Sequence, residues 1–265
     1  MLIEARQQAI YEVLRRRGSA RTTELSDELG ISQMTIRRDL NALARRGLVR
    51  RLHGGAALTG PPNALTSTGA GAVAELPRKM AIAREAFAFL VPDQVLYLDG
   101  STTCRELAKL LPNDLGLRVV TDSLDTVLEL HARAGVEVTL LGGVLQRKDR
   151  VGNTFAGSLA LENAAKIGVD LCFSSACAFA EDHIGNPDMA GVEVRRSMLR
   201  NARRRFLLAD STKYGKRGYI ELCTWREVDV LVTDEGLTAQ RLEGVAAQDV
   251  EILIAALGVS APQTP

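Results

Sequence analysis

SQMTIRRDL, residues 32–40, sets two adjacent arginines inside a short stretch whose apolar residues fall at helical spacing. With Ile36 at the centre of one face and 100° per residue, Leu40 and Leu43 lie within about 40° of it and form a buried stripe. Met34, Arg38, Asn41 and Arg45 then point the opposite way, with Thr35 and Arg37 on the flanks. Ser32 suits an N-cap and is followed by Gln33 in the first turn. This outward set matches the edges of a DNA major groove. Arginine can pair with guanine, asparagine with adenine, and a methionine or threonine methyl can touch thymine. Ser32 and Thr35, beside the free amides of the helix start, can hold phosphates. The competing reading is a solvated helix face, so the decision rests on the flanking sequence.

Residues 1–56 hold 11 arginines, no lysine and six acidic residues, giving +5, while the whole chain of 265 residues carries only +1. A basic end on a mildly acidic body points to an anionic partner for that end. Within it, Ile3, Ile10, Val13 and Leu14 outline one helix over about 3–16. A second starts at Thr22 or Thr23 and stops at Gly30, and the third runs from Ser32 to about Arg46. LVRRLHGGA then alternates and carries a Gly-Gly pair that permits a tight turn. Three helices and a β-ribbon are the order of a winged helix-turn-helix, and the basic RRLHGG ribbon decides for DNA.

Residues 57–77 are rich in Gly, Pro, Ser, Thr and Ala and read as a linker, where the geometry between two domains would change. From Arg78 the pattern becomes α/β. Seven short apolar runs alternate with helical stretches: 95–100, 117–123, 136–143, 169–176, 205–210, 229–234 and 250–255. Near-continuous apolar strands between helices imply a parallel sheet covered on both faces, of Rossmann-like type. The expected organisation is a DNA-binding domain over 1–56, a linker over 57–77, an α/β domain over 78–258 and a tail over 259–265.

Several strand ends in the α/β domain carry polar or glycine motifs, where open sheets bind ligands. Asp99, Gly100, Ser101, Thr102 and Thr103 end one strand and open a helix, a turn suited either to phosphate or to simple capping. Thr121, Asp122 and Ser123 end the next strand. Gly142 and Gly143 follow the third, as binding loop or as turn. Lys213, after Asp210-Ser211-Thr212, is placed to face a phosphate or solvent. Cys104, Cys172, Cys177 and Cys223 show no CxxC pairing, and no metal or cofactor is expected. His131 and His183 lack metal-ligand company and read as structural or solvated.

TTELSDELGISQMTIRRDLNALARRGLVRRLHGGA resembles the DNA-binding module of the DeoR family of bacterial transcriptional regulators, with its TIRRDL-type helix and R-x-HGGA wing. The resemblance implies DNA contacts from Ser32, Thr35, Arg37 and Arg38, with Arg51 and His53 in the wing; His53 has the alternative of only shaping the ribbon turn. KMAIA, LDGSTT, VVTDS, LLGG, the strand from Asp170 to Phe173, EVRRSM, LADSTKYG and VLVTDE resemble the same family's effector domain, related in fold to ribose-5-phosphate isomerases. It implies a phosphorylated-sugar effector near Lys79, Asp99 and Lys213, with Asp170 among the site residues. Lys79 reads equally as the charged side of an amphipathic helix. Four positions depart from the family pattern. Asp122 stands where asparagine is usual, Ser175 and Ala178 replace glycines, and Arg195 replaces a common lysine.

The functional expectation is a transcriptional regulator acting as a repressor of carbohydrate-metabolism genes. It would bind double-stranded operator DNA as a homodimer or homotetramer under control of a phosphorylated sugar. The alternative is an isomerase-like enzyme with a DNA-binding appendage, using Asp99, Asp122 and Lys213 as acid–base groups. DNA binding without sequence preference is a third reading, opposed by the outward set on the recognition helix. Residues 1–17 carry charges throughout and no apolar run reaches about 18 residues, so neither a signal peptide nor a membrane span is expected and the cytoplasm is the expected location.

Overall fold

The computed structural model describes residues 6, 7, 9–11, 13, 14, 19–45, 49–52, 54–58, 75–148, 152–187, 189 and 191–258. The chain divides into two compact units, Met1–Ala74 and Glu75–Pro265.

In the first unit, the described residues between 6 and 14 are helical. They are followed by β1 (Ser19–Arg21), α1 (Thr22–Leu29), α2 (Gln33–Arg45), β2 (Val49–Leu52) and β3 (Gly55–Leu58). Gly30 ends α1 in the left-handed region at φ 65°, where a Cβ would be strained. Ile36, Leu40 and Leu43 are buried with Ile10, Val13, Leu14, Leu25 and Val49, so the anticipated stripe is the core of this unit. The ribbon differs from expectation. β1 adds a third strand, giving the order β1-β3-β2. It can approach because residue 55 is glycine; a Cβ there would lie 2.3 Å from the Ala20 carbonyl oxygen. Gly54, at φ 79°, makes the turn.

The second unit runs α3 (Leu76–Phe87), β4 (Val95–Leu98), α4 (Thr102–Leu110), β5 (Leu117–Thr121), α5 (Leu124–Leu130) and β6 (Val136–Leu140). It continues through β7 (Val144–Lys148), β8 (Gly152–Ala156), α6 (Ser158–Lys166), β9 (Val169–Ser174), β10 (Ala178–Ala180) and β11 (His183–Asn186). The last elements are α7 (Val192–Arg200), β12 (Ala202–Leu208), β13 (Ile220–Cys223), β14 (Val230–Asp234), α8 (Ala239–Ala246) and β15 (Glu251–Ala255). Helix α3 begins inside the stretch read as linker. Pro77 sits in its first turn, where a missing N–H breaks no helical bond.

All seven apolar runs enter one parallel sheet, ordered β15-β14-β12-β9-β4-β5-β6. One face packs Leu96, Leu98, Leu171, Phe173, Phe206 and Leu208 against α3, α4 and α5. The other packs Tyr97, Cys172, Leu207 and Leu231 against α6, α7 and α8. Two β-structures lie outside this pattern: the antiparallel hairpin β7–β8 and a small sheet β10-β11-β13. The main sheet's strand order reverses between β9 and β4, which opens a crevice at their carboxyl ends.

Phe173 is fully buried, with its ring centroid 4.7 Å from that of Phe206. Phe173→Ala is expected to cost about 3–5 kcal/mol, read as a lower denaturant midpoint of the sheet-containing unit.

Candidate functional site

Helix α2 presents Ser32, Gln33, Met34, Arg37, Arg38 and Asn41 to solvent, and Met34 keeps 82% of its surface. Thr35 is half-buried, and its hydroxyl lies 2.8 Å from that of Ser32 while its amide donates to the same oxygen at 3.3 Å. Seven residues separate Met34 from Asn41, a rise of about 10 Å, or about three base-pair steps. Only the backbone of Arg45 is described. Arg51 is half-buried in β2, and its Nη1 has no hydrogen-bond partner among the described residues. His53 lies outside the described residues. Asp39 went unremarked in the sequence. It is buried on α2 and accepts from Arg6 Nε at 2.5 Å and Nη2 at 3.2 Å, and from Gln7 Nε2 at 3.3 Å. The acid of the RRD triplet therefore anchors the helical segment that holds Arg6 and Gln7, while the two arginines stay outward.

In the second unit the crevice is organised by Asp99, which follows β4 and is fully buried. Its Oδ1 accepts from the Ser101 amide at 2.9 Å. Its Oδ2 accepts from the Ser174 hydroxyl at 2.9 Å and the Ser175 amide at 2.8 Å, across the switch point. Ser101 caps α4 by accepting from the Cys104 amide at 3.2 Å, and Thr102 and Thr103 form that helix's first turn. Gly100 is required by the hairpin overhead, because a Cβ there would come within 2.1 Å of the Thr154 methyl on β8. The same strand fixes β5, with the Phe155 amide donating to the Asp122 carbonyl at 2.7 Å. Thr121 donates to the Leu98 carbonyl at 2.7 Å, and Ser123 caps α5 through the Thr126 amide at 3.1 Å.

Ser175 links two cations. Its carbonyl accepts from Arg195 Nη1 at 3.3 Å, and its hydroxyl accepts from Lys213 Nζ at 2.9 Å. Arg195 Nε also donates to the Gly191 carbonyl at 3.3 Å, and Nη1 stands 3.8 Å from Asp99 Oδ2. Lys213 lies 3.7 Å from Asp210 Oδ2. Lys79, on α3, is buried; burial, and then the charge of Lys213, lower its pKa. α3 is held there by Arg78, which pairs with Asp234 and donates to Ser211 at 2.9 Å.

Asp122 is 2% exposed, and its Oδ1 has no hydrogen-bond partner among the described residues. The Tyr97 hydroxyl is likewise without a hydrogen bond of good geometry, although it stands near enough to the same carboxyl to lower its pKa. Burial, and then the neighbouring Asp99 carboxylate, push the Asp122 carboxyl up to about 7, against the lowering effect of Arg195.

Thus Asp99 to Thr103, Thr121 to Ser123 and Lys213 come to one end of the sheet, with Lys79 near Lys213. Gly142 and Gly143 lie two strands from β4. They follow the edge strand β6, and Gly143 turns at φ 105° with its Cα too close to the Ala156 carbonyl for a Cβ. Asp170 is also apart. It is the second residue of β9, at the opposite end of the sheet, and accepts from the Val95 amide at 2.9 Å. Tyr97, Ser174, Ser175, Thr154 and Arg195 belong at the crevice although sequence reasoning did not place them in the site. Ser175 and Arg195 were visible there as departures from a family pattern. Tyr97 gave no signal, being one apolar-run residue among many.

A carboxyl whose folded pKa is raised binds its proton more tightly folded than unfolded. Its contribution to stability is thus present at low pH and lost as pH climbs through the window from 3.8 to about 7. Asp122→Asn is expected to flatten that part of the stability profile, with its largest gain in melting temperature above the window. An unchanged profile from paired thermal melts would contradict this assignment.

A family model described as DeoR-like helix-turn-helix domain matches residues 6–61, and one described as DeoR C terminal sensor domain matches residues 75–235. The uncharacterized HTH-type transcriptional regulator YulB of Bacillus subtilis (strain 168) is 32% identical over 262 residues, covering 98% of this chain and 99% of the relative. The lactose phosphotransferase system repressor of Lactococcus lactis subsp. lactis is 32% identical over 242 residues, covering 90% and 93%. Among solved structures, the ribose 5-phosphate isomerase A of Methanocaldococcus jannaschii aligns with 52% of this chain and 54% of its own at 14% identity. Its TM-score of 0.36 is too low to bear on function. No helix among the described residues is long and apolar enough to cross a membrane, and no cluster there has the ligands for a metal ion. With both domains matched and a relative aligned along nearly its whole length, the chain belongs to the DeoR family of DNA-binding transcriptional regulators.

Proposed function

We propose that this regulator represses carbohydrate-metabolism genes, reading operator DNA with α2 as a homodimer or homotetramer, with its operator affinity modulated by a phosphorylated sugar bound in the crevice of the second unit. The outward face of α2 carries the DNA reading: Arg37, Arg38 and Asn41 are exposed while the acid between them is turned inward onto Arg6. Ser32, Gln33, Met34 and Thr35 flank these contacts at the helix start, with Arg45 and the wing residues Arg51 and His53 completing the set. Two copies would read half-sites about one helical turn, or a multiple of it, apart.

For the effector, the crevice offers Lys213, Arg195 and Lys79 beside the start of α4, a setting for an anionic group. Asp99 has both oxygens engaged by Ser101, Ser174 and Ser175, which suits a positioning group better than a proton-transfer one. A regulator without turnover is therefore the reading the geometry favours.

Selection from a random duplex pool with the full chain should yield a defined sequence. Arg38→Ala should weaken that operator by about 1–3 kcal/mol and reduce non-specific binding far less. Equal losses on both DNAs would reduce Arg38 to a phosphate contact. In a thermal-shift series, at least one phosphorylated sugar should raise the melting temperature where its unphosphorylated form does not, and Lys213→Ala should abolish the rise. The same compound must alter operator affinity, since coupling between two binding sites is reciprocal.

A further inference from the structure

The crevice has two poles of opposite charge. At one, Lys213 stands 3.7 Å from Asp210 Oδ2, and Lys79 is buried close enough to it that the Lys213 charge lowers the Lys79 pKa. At the other, Asp99 and Asp122 share the one guanidinium of Arg195, for a net −1 with both acids ionised. Ser175 sits between the poles, bonded to Lys213, Arg195 and Asp99. A sugar phosphate bearing only hydroxyls answers the first pole and leaves the second uncompensated.

The second pole is also where hydrogen bonding is incomplete. Asp122 Oδ1 and the Tyr97 hydroxyl are enclosed and make no hydrogen bond of good geometry among the described residues, although the hydroxyl is near enough to the carboxyl to lower its pKa; leaving such groups incompletely matched is costly. Arg195 lowers the Asp122 pKa by its charge but makes no hydrogen bond to Asp122 Oδ1, while its Nε and Nη1 donate to the Gly191 and Ser175 carbonyls. A cationic donor would satisfy both the charge and the empty acceptor.

We propose that the effector is zwitterionic, a sugar phosphate with a free amino group, its ammonium received by Asp122 beside Tyr97 and its phosphate directed toward Lys213 and Lys79. This rests on the reading of the crevice as a sugar-phosphate site and narrows the ligand class within it. No covalent step is involved.

The pole also sets a pH signature. Asp122 is faced by Tyr97 and Asp99 from β4, Cys172 from β9 and Arg195 from α7, while β8 brings only uncharged groups, Thr154 and Phe155. An ammonium there favours the ionised carboxylate, so binding releases the carboxyl's proton and is favoured by rising pH. A phosphate without an amine favours the protonated carboxyl. Titration of the phosphate itself is common to both ligands and cancels in their ratio.

The test is calorimetry and thermal shift on the full chain with glucosamine 6-phosphate and galactosamine 6-phosphate. Each is compared with glucose 6-phosphate or galactose 6-phosphate, and with the unphosphorylated amine. One amino-sugar phosphate is expected to bind tighter than its hydroxyl counterpart by about tenfold or more, with the ratio growing from about pH 6 to about 7.5. Asp122→Asn should bring that ratio near one and remove its pH slope; the wild-type ratio stands as evidence even if the variant folds poorly. Equal or tighter binding of the hydroxyl compounds, or a preference that survives Asp122→Asn, overturns the zwitterion and leaves the sugar-phosphate reading intact. No binding of any phosphorylated compound overturns both.

Discussion

The crevice depends on one carboxylate. Where the strand order reverses, β4 and β9 diverge into loops running to opposite sides of the sheet, and backbone pairing alone no longer holds their ends together. Asp99 spans the gap, taking one hydrogen bond from its own loop and two from Ser174 and Ser175. Burying a carboxylate without partners would cost several kcal/mol, so its three donors and the nearby Arg195 are conditions for the fold at this point. Ser175 in turn orients Arg195 and Lys213. The positions of both cations thus trace back to the pull of Asp99 on one serine amide.

The DNA-reading unit uses a buried acid in a comparable way. α2 has a single acidic residue, Asp39, and it faces Arg6 instead of solvent. An exposed acid beside Arg37 and Arg38 would repel the phosphates those residues approach, whereas the inward rotamer converts the same charge into a clamp between helices. The cost is structural coupling. A change at Asp39 would remove the bonds from Arg6 and Gln7 that tie α2 to the N-terminal helical segment.

The main sheet was legible because its strands are buried on both sides. Seven apolar runs have no other stable home in a water-soluble domain, and all seven became strands. The hairpin β7–β8, the small sheet β10-β11-β13 and the edge strand β1 were not legible. Each strand is three to five residues long, and all but the three-residue β10 mix polar with apolar positions, so neither periodicity nor run length marks them. The loop motifs of the crevice could be read because strand ends are recognisable in the sequence. Asp170 was readable and was misplaced: it begins a strand, and in a parallel sheet the beginnings lie opposite the ligand end. Tyr97 and Thr154 needed tertiary structure. One is distinguished only by where its hydroxyl ends up, and the other by a hairpin folding back over Gly100.

The departures at 122 and 195 are best understood together. Asparagine and lysine, the usual pair in the resembling family, contribute one positive charge; Asp122 and Arg195 contribute none when both are ionised. The exchange therefore makes the inner crevice more negative by a full unit while keeping side chains of similar reach. Arginine is suited to that change. Its planar fork donates to the Gly191 and Ser175 carbonyls and still faces Asp99, where a lysine ammonium would act as a single point. The guanidinium so held stands 3.8 Å from Asp99 Oδ2 and makes no hydrogen bond to Asp122 Oδ1. The added carboxylate is consequently left with an unfilled acceptor, Oδ1, in the inner crevice. An opening of that kind constrains the ligand more sharply than the cationic side does, because many anions can meet two lysines, whereas few sugar phosphates can bring a cation to a buried acid.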